Sequence, residues 1–475
     1  MTFNSFPFIF IFLPFVLGGY FLLNRSGHSA YGKIWLVMGS LVFVACSRVE
    51  DALLVLGSAA VNCFFAERLA AKKGCWRLSH RALLVAGIVI NVAFLCYFKY
   101  ADFFMETVNR VLGTSHRIPQ AAFPLGISFY TIYQIMLLVD CYEGLVEKHN
   151  WLDHLVFASF FPCVTMGPIV RWKQVVPQLN NASAQTVDVD NIARGLFVFV
   201  LGLFKKVVLA DSFFRWADAG FRYNHPLSLV GSWMAALAFT CELYFDFSGY
   251  TDMALGAALM LNVKLPQNFN SPFRAQSVID FWRRWHMTLT NFITTYLYTP
   301  MIRVRARVTF GAAMMATFLS MLIAGLWHGA NWTFVVFGVL HGAALVINHG
   351  WRKLKWAMPG AAAWALTFTL VVVSLVFFRA DSVGQGARMV ASMFSLRAGL
   401  FSYEPWVGID RMDQLTGIAW MVFGVAALLR APSSMEVQNK FRPSWATVAQ
   451  TVALAVVACI YANGVVSRSF VYRDF

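Results

Sequence analysis

From Phe6 to Leu23 the chain reads FPFIFIFLPFVLGGYFLL, without one charged side chain. A run of that kind leaves few folds open. In hydrocarbon no water satisfies backbone N–H and C=O groups, so a spanning segment closes its own hydrogen bonds as a helix or joins a closed barrel. Continuous apolarity, in place of the period-2 alternation of barrel strands, selects the helix. The run has no basic stretch before it and no small-residue cleavage site, so it is expected to stay as a first membrane helix and not to be removed as a signal peptide. Further apolar runs lie at 34–46, 52–65, 82–98 and 119–139. Several fall short of the roughly 20 residues of a simple crossing, so tilted or re-entrant pieces are expected.

Composition agrees. Of 475 residues 59% are hydrophobic and 13% charged, with mean hydropathy +0.61, which excludes an ordinary soluble protein. The expected class is an all-α polytopic membrane protein, read as one domain over 1–475 in three stretches, 1–118, 119–350 and 351–475. A formal charge of +15 is compatible with nucleic-acid binding. The bases, however, sit in short clusters between apolar runs, as at Lys72, Lys73, Arg77 and Arg81. Retention of loops at an anionic leaflet explains them, with lipid and not nucleic acid as the partner. The loop 67–81 is therefore expected inside, as is the loop with Arg25 and Lys33, with the N-terminus outside.

Eight cysteines form no CxxC, and all but Cys75 lie in or beside apolar runs, where they read as small fillers. Neither HxxxH nor HExxH occurs; His328 and His341 are 13 apart and His341 and His349 eight apart. No metal is expected.

Chemistry is concentrated between Glu242 and His341, where Asp246, Asp252, Arg283, Arg284, His286 and His328 stand in or beside apolar segments. An ionisable group there needs a partner, a wet cavity or a function. In YFDFSGYTDM, Asp246 and Asp252 are not on one helix face unless Ser248-Gly249 opens the helix, and both carboxylates read first as structural pins. PQNFNSPF at 266–273 is expected to be an ordered loop because of Pro266 and Pro272. In DFWRRWH the arginines flanked by Trp282 and Trp285 fit an interfacial helix, with His286 four after Trp282 on the same face, and also fit a diphosphate at a cytoplasmic mouth. His328 in IAGLWHGANWTF has no acid within ten residues on either side. An imidazole there stays neutral, as a general base must, and the small Gly329 and Ala330 are expected to leave room for a ligand; a histidine bonded to a neighbouring helix is the plainer alternative. Upstream, PLGISFYTIYQIMLLVDCYEG and FFPCVTMGPIVRWKQVVPQL each pair Pro and Gly with an apolar run, as a broken helix lining a cavity does; for the second, a helix end with interfacial Trp172 and snorkelling bases fits equally. Lys205 and Lys206 read as membrane-boundary bases, with a phosphate contact as the alternative.

PLGISFY, FFP…GPIVR, YFDFSGYTDMA, NFNSPFRA…DFWRRWHMTL and LWHGANWTFVVFGVLHG together resemble the membrane-bound O-acyltransferase superfamily, in its alginate O-acetyltransferase-like bacterial branch, with teichoic acid D-alanyl transferases as cousins. The likeness covers most of the chain, including the closing FVYRDF. It implies a ring of about eleven to thirteen spanning and re-entrant helices around a central funnel, each full crossing needing about 20 residues. It also places the family's histidine on His328 and a second polar position on His286. A donor, acetyl-CoA, would enter from the cytoplasm and an acceptor from the opposite side. His328 would take the acceptor proton, with His286 or Asn331 orienting the acyl group or stabilising the oxyanion. Trp327, Arg283, Arg284, Asp246 and Tyr250 complete the substrate-binding candidates. Partners would be a surface polysaccharide, its synthase complex and an extracytoplasmic acetyltransferase-like protein. Where that branch has serine-leucine-serine, tryptophan, an apolar residue and an Arg-Asp pair before tyrosine, this chain has Thr288-Leu289-Thr290, Phe292, Ile293 and Thr294-Thr295 before Tyr296. Alginate is thus not singled out as acceptor, and another glycan such as cellulose fits as well. A transporter of an acyl or glycan intermediate, a D-alanyl-type transferase and a structural subunit of a secretion complex are the other readings.

Overall fold

The computed structural model describes residues 1–25, 29–71, 79–116, 122–146, 148–223, 225–305, 307–401 and 411–464. Among these every regular element is helical. Six helices are long and apolar enough to cross a membrane: Val49–Ala70, His80–Leu112, Phe310–His328, Trp332–Leu354, Gly360–Arg379 and Trp445–Ala462. Shorter apolar helices are Phe8–Asn24, Ser29–Ala45, Ile127–Tyr142 and Thr416–Arg430. Side chains such as Phe10, Phe15, Val89 and Ile347 are exposed on them, as suits surfaces whose solvent is lipid. Where helices begin, Ser79, Thr309, Asn331 and Ser382 each accept a backbone N–H with their side chains. The chain is an all-α polytopic membrane protein. The run expected at 119–139 becomes helical only at Ile127, after Gly126 at φ 75°. Lys72, Lys73 and Arg77, on which the inside assignment rests, and the closing FVYRDF lie outside the described residues.

The chain forms two compact units, Met1–Val200 with Tyr250–Pro266, and Leu201–Gly249 with Gln267–Phe475. In the first, the two Pro/Gly motifs pack on each other. Tyr133 Oη lies 2.9 Å from Cys163 O and 3.1 Å from Pro168 O, and Arg171 forks onto Asp140 at 2.7 and 3.2 Å. Gly126 is required there, because a Cβ would stand 2.4 Å from Val164 O. Ile127–Tyr142 is unbroken, so Pro124 and Gly126 set its start and do not break it. Trp172 is buried and Arg171 is paired internally, which replaces the interfacial-anchor expectation for both.

In the second unit, the hairpin of Phe310–His328 and Trp332–Leu354 closes on two glycines. A Cβ at Gly325 would be 2.5 Å from Phe334 O, and one at Gly338 2.8 Å from Met321 O. Backbones approach this closely only where side chains are missing. The expected opening at Ser248-Gly249 does not occur, since one helix runs from Leu229 to Met260. Gly249 instead admits a neighbouring backbone, with Gly202 O 2.7 Å from where its Cβ would be. Lys205 and Lys206 are not boundary bases. Lys205 Nζ donates to Ser434 Oγ at 2.6 Å, and buried Lys206 lies 2.8 Å from Asp246 and 2.9 Å from Asp211. Arg274 donates to the carbonyls of Leu429, Arg430 and Ala431 at 2.7–2.8 Å, closing the C-terminus of the helix Arg411–Arg430.

Candidate active site

The loop after Met260 carries Asn268, whose side-chain oxygen organises the segment that follows. It accepts from Thr288 Oγ1 at 2.6 Å and faces His286 Nδ1 at 3.3 Å, while Asn268 O accepts from Met287 N at 2.9 Å. An amide oxygen only accepts, so Nδ1 carries the His286 proton and Nε2 bears the lone pair. Nε2 is buried and has no hydrogen-bond partner among the described residues. Burial pushes the His286 pKa down to about 3, so the ring is neutral at pH 7.

His286 is held at φ 41°, ψ 53°, a left-handed conformation that a non-glycine residue adopts at a cost of about 1–3 kcal/mol. The helix Val278–Trp282 has already ended, so the expected shared face of Trp282 and His286 does not exist. Thr288 and Thr290 do hydroxyl work in place of the branch's serines, Thr290 Oγ1 donating to Trp282 O at 3.0 Å. Replacing Asn268 with Ala is expected to cut turnover by about 100-fold through a misplaced ring, with Asn268→Asp recovering part of it and the KM for donor nearly unchanged; equal kcat in Asn268→Ala would remove its positioning role.

His328 ends the helix Phe310–His328 and is buried. Its ring packs between Trp327, Phe337 and Phe378, with centroids 5.1, 5.9 and 5.2 Å away. Gly329 does not leave room for a ligand. The Phe334 ring fills that space, 2.1 Å from where a Cβ would sit. Trp327 links the two histidines, its ring 6.2 Å from that of His286 and 5.1 Å from that of His328.

The other candidates have partners of their own. Asn331 is a cap, accepting from Thr333 N at 3.0 Å and donating to Asp381 O at 3.1 Å, so both ends of its amide are in use. Asp246 is bonded to Lys206, as a pin should be. Tyr250 belongs to the first unit, where its hydroxyl meets Thr165 Oγ1 at 2.5 Å and its ring stacks on Phe3 at 4.8 Å. Arg284 pairs with Asp280 at 2.9 Å. Arg283 instead lines a cavity of about 540 Å³ with Trp282, Thr294, Tyr298, Ser320 and His349.

His341, weighed in the sequence only as a metal ligand, is locked in a chain of hydrogen bonds. Trp282 Nε1–H donates to its Nδ1 at 3.2 Å, which puts the proton on Nε2 for Ser374 Oγ at 2.8 Å, and Ser374 donates on to Val371 O at 2.7 Å. Every polar atom of that ring is used, so it holds Trp282 in place against the cavity and has no lone pair to spare.

The arrangement sets two buried imidazoles against one indole, with a cavity bearing one arginine in the same unit. Residues 75–373 match the profile of MBOAT, the membrane-bound O-acyltransferase family. The chain is 38% identical over 428 residues to the peptidoglycan O-acetyltransferase of Helicobacter pylori, covering 83% of this chain and 80% of that protein. It is 38% identical over 406 residues to the probable alginate O-acetylase of Pseudomonas aeruginosa, covering 83% and 75%. Similarity to the teichoic acid D-alanyltransferase of Bacillus subtilis is 26% over 261 residues, covering 52% and 65%. The chain belongs to the membrane-bound O-acyltransferase family and is a multi-pass membrane enzyme of the bacterial inner membrane.

Proposed function

We propose that this enzyme moves an acetyl group from acetyl-CoA on the cytoplasmic side to a hydroxyl of a surface or secreted polysaccharide on the other, directly or through an extracytoplasmic acetyltransferase-like partner. The observation that carries this reading is the pairing of His286 and His328 across Trp327 in a family of O-acyltransferases. Peptidoglycan and alginate are the acceptors that the relatives bring forward, ahead of cellulose. The D-alanyl relative is more distant and matches about half the chain.

The chemistry follows from the residues. His328 takes the proton of the acceptor hydroxyl as its oxygen attacks the thioester carbon, and returns it to the CoA sulfur as the C–S bond breaks. His286 has no N–H on Nε2, so it accepts a hydrogen bond and orients a substrate; it does not donate to the oxyanion. Asn331, with both ends engaged, keeps the His328 turn in place.

Geometry supports the sidedness. Arg303, Arg305 and Arg307 precede the helix Phe310–His328, and Arg352 and Lys353 end the helix after it, which puts those ends inside. Nineteen residues separate Phe310 from His328 inclusively, about 28 Å at 1.5 Å per residue. With its basic end at the inner boundary, a helix of that length carries His328 towards the outer one. On the inner half, the cavity beside Arg283 suits a phosphate-bearing donor, and Thr294, where the branch's Arg-Asp pair is missing, forms part of its wall. Arg283→Ala should raise the KM for acetyl-CoA roughly tenfold or more, with kcat little changed, as loss of one charge-assisted bond implies. An unchanged KM would move the donor elsewhere.

Proteoliposomes decide the function. With acetyl-labelled acetyl-CoA on one face and polysaccharide on the other, CoA release should accompany ester formation. Label that crosses without CoA release would make the protein a transporter, and transfer only from a D-alanyl carrier would favour the distant relative. In a chain without native cysteines, one introduced at exposed Gln276 should resist an impermeant maleimide until cells are permeabilised, and one at exposed Arg388 should react at once. The reverse pattern would invert the sidedness.

A further inference from the structure

In the first unit, far from any sequence pattern, Cys63, His149 and His154 present ligand atoms that all lie within 4.8 Å of one another. His149 Nε2 and His154 Nδ1 face each other at 2.9 Å. One turn along the helix Val49–Ala70, the Glu67 carboxylate lies 3.7 Å from Cys63 Sγ, at the i, i+4 spacing that puts both on one face. From these residues we propose that Cys63, His149, His154 and Glu67 form a binding site for a divalent transition-metal ion of the zinc class, tying the helix Val49–Ala70 to the start of the helix Trp151–Ser159.

The donor set is one thiolate, two imidazoles and a carboxylate, the mixture that suits four-coordinate zinc. Metal–nitrogen and metal–sulfur bonds of about 2.0 and 2.3 Å place neighbouring ligand atoms of a tetrahedron about 3.3–3.6 Å apart. The observed 2.9 and 3.7 Å bracket that spacing closely, so small side-chain rotations complete the shell.

Its supports are rigid. The His149 ring stacks on buried Trp172, with centroids 5.4 Å apart and planes 29° from parallel. Asn150 caps the helix that carries His154. Asp153, beside His154, is held by Lys33 at 2.6 Å, Asn150 at 2.6 Å and Asn180 at 3.1 Å, so it is committed to the scaffold and leaves Glu67 as the acidic ligand. The site is a place for an ion held by the fold, with all four ligands in the first unit.

Binding balances simply. The metal displaces the Cys63 thiol proton to solvent, and the ring proton between the two imidazoles moves to an outer nitrogen, so both inner nitrogens donate lone pairs. With thiolate and carboxylate bound, the ion's two charges are neutralised.

The test uses the full-length protein in detergent, stripped with a chelator and titrated with Co²⁺. One equivalent should give a thiolate-to-cobalt charge-transfer band in the near ultraviolet and the visible d–d bands of tetrahedral cobalt, both erased by Zn²⁺. Cys63→Ser, close in size to the native residue, should lose the charge-transfer band while remaining monodisperse. The double variant His149→Gln/His154→Gln should bind cobalt on the order of 100-fold more weakly. Absence of the band in the wild-type protein, or its persistence unchanged in Cys63→Ser, would overturn the site.

Discussion

Substituting His328 by Ala should lower both CoA release and acceptor acetylation by about 10²–10⁴-fold, the range of a lost general base, while the amount of protein in the membrane stays the same. The ring is packed among Trp327, Phe337 and Phe378 and is not on a polar surface, so truncation also leaves an aromatic-lined cavity. His328→Gln separates the two effects, since it fills most of the space without supplying a base. Equal loss in both variants with normal thermal stability in the Gln form assigns the loss to chemistry. Near-normal turnover in either would move the base to His286, whose Nε2 already carries an available lone pair. Because burial holds the His286 pKa near 3, its neutral form persists throughout the physiological range, and any acidic limb of kcat above pH 5 belongs to another group.

The largest effect on stability is expected at Lys206. Its ammonium is buried and stands within 2.9 Å of both Asp211 and Asp246. Removing one partner of a buried ionic group costs about 3–5 kcal/mol, because the remaining charges keep their desolvation penalty without the attraction that offset it. Lys206→Met should therefore lower the thermal midpoint in detergent well beyond the effect of any surface lysine. Adding Asp246→Asn should restore part of it. A Lys206→Met protein that melts with the wild type would show that the cluster is neutralised by protonation and not by the lysine.

How much of this was legible beforehand follows the range of the interactions. Class, helical content and the runs at 6–23, 34–46, 52–65 and 82–98 were readable because membrane insertion is decided by local apolarity over about 20 residues. The chemistry-bearing stretch was readable because ionisable groups in apolar runs are expensive. Partnerships between distant segments were not. Nothing near Lys206 in sequence announces Asp246, and a lysine close to the end of an apolar run has a simpler local explanation in snorkelling. Asn268 was seen only as part of an ordered loop, although its oxygen fixes which His286 nitrogen carries the proton. Gly329 looked like open space because a sequence shows what a residue lacks and not what its neighbour puts there, in this case Phe334. Cys63, His149 and His154 are spaced 86 and five residues apart, which matches no short ligand pattern.

The glycine contacts of the hairpin decide how the chain tolerates changes in length. Gly325 and Gly338 lock the two backbones within one turn of His328, whereas Arg305 and Arg307 are exposed and a Cβ at Gly311 would meet open space. A residue inserted before Phe310 is absorbed there. A residue inserted between Gly325 and His328 turns the imidazole by about 100°, since a helix has 3.6 residues per turn, and carries it off its contacts with Phe337 and Phe378. Natural length variation and engineered tags or sensor domains thus have a permissive port at the basic end of this hairpin, while the three residues before His328 admit none.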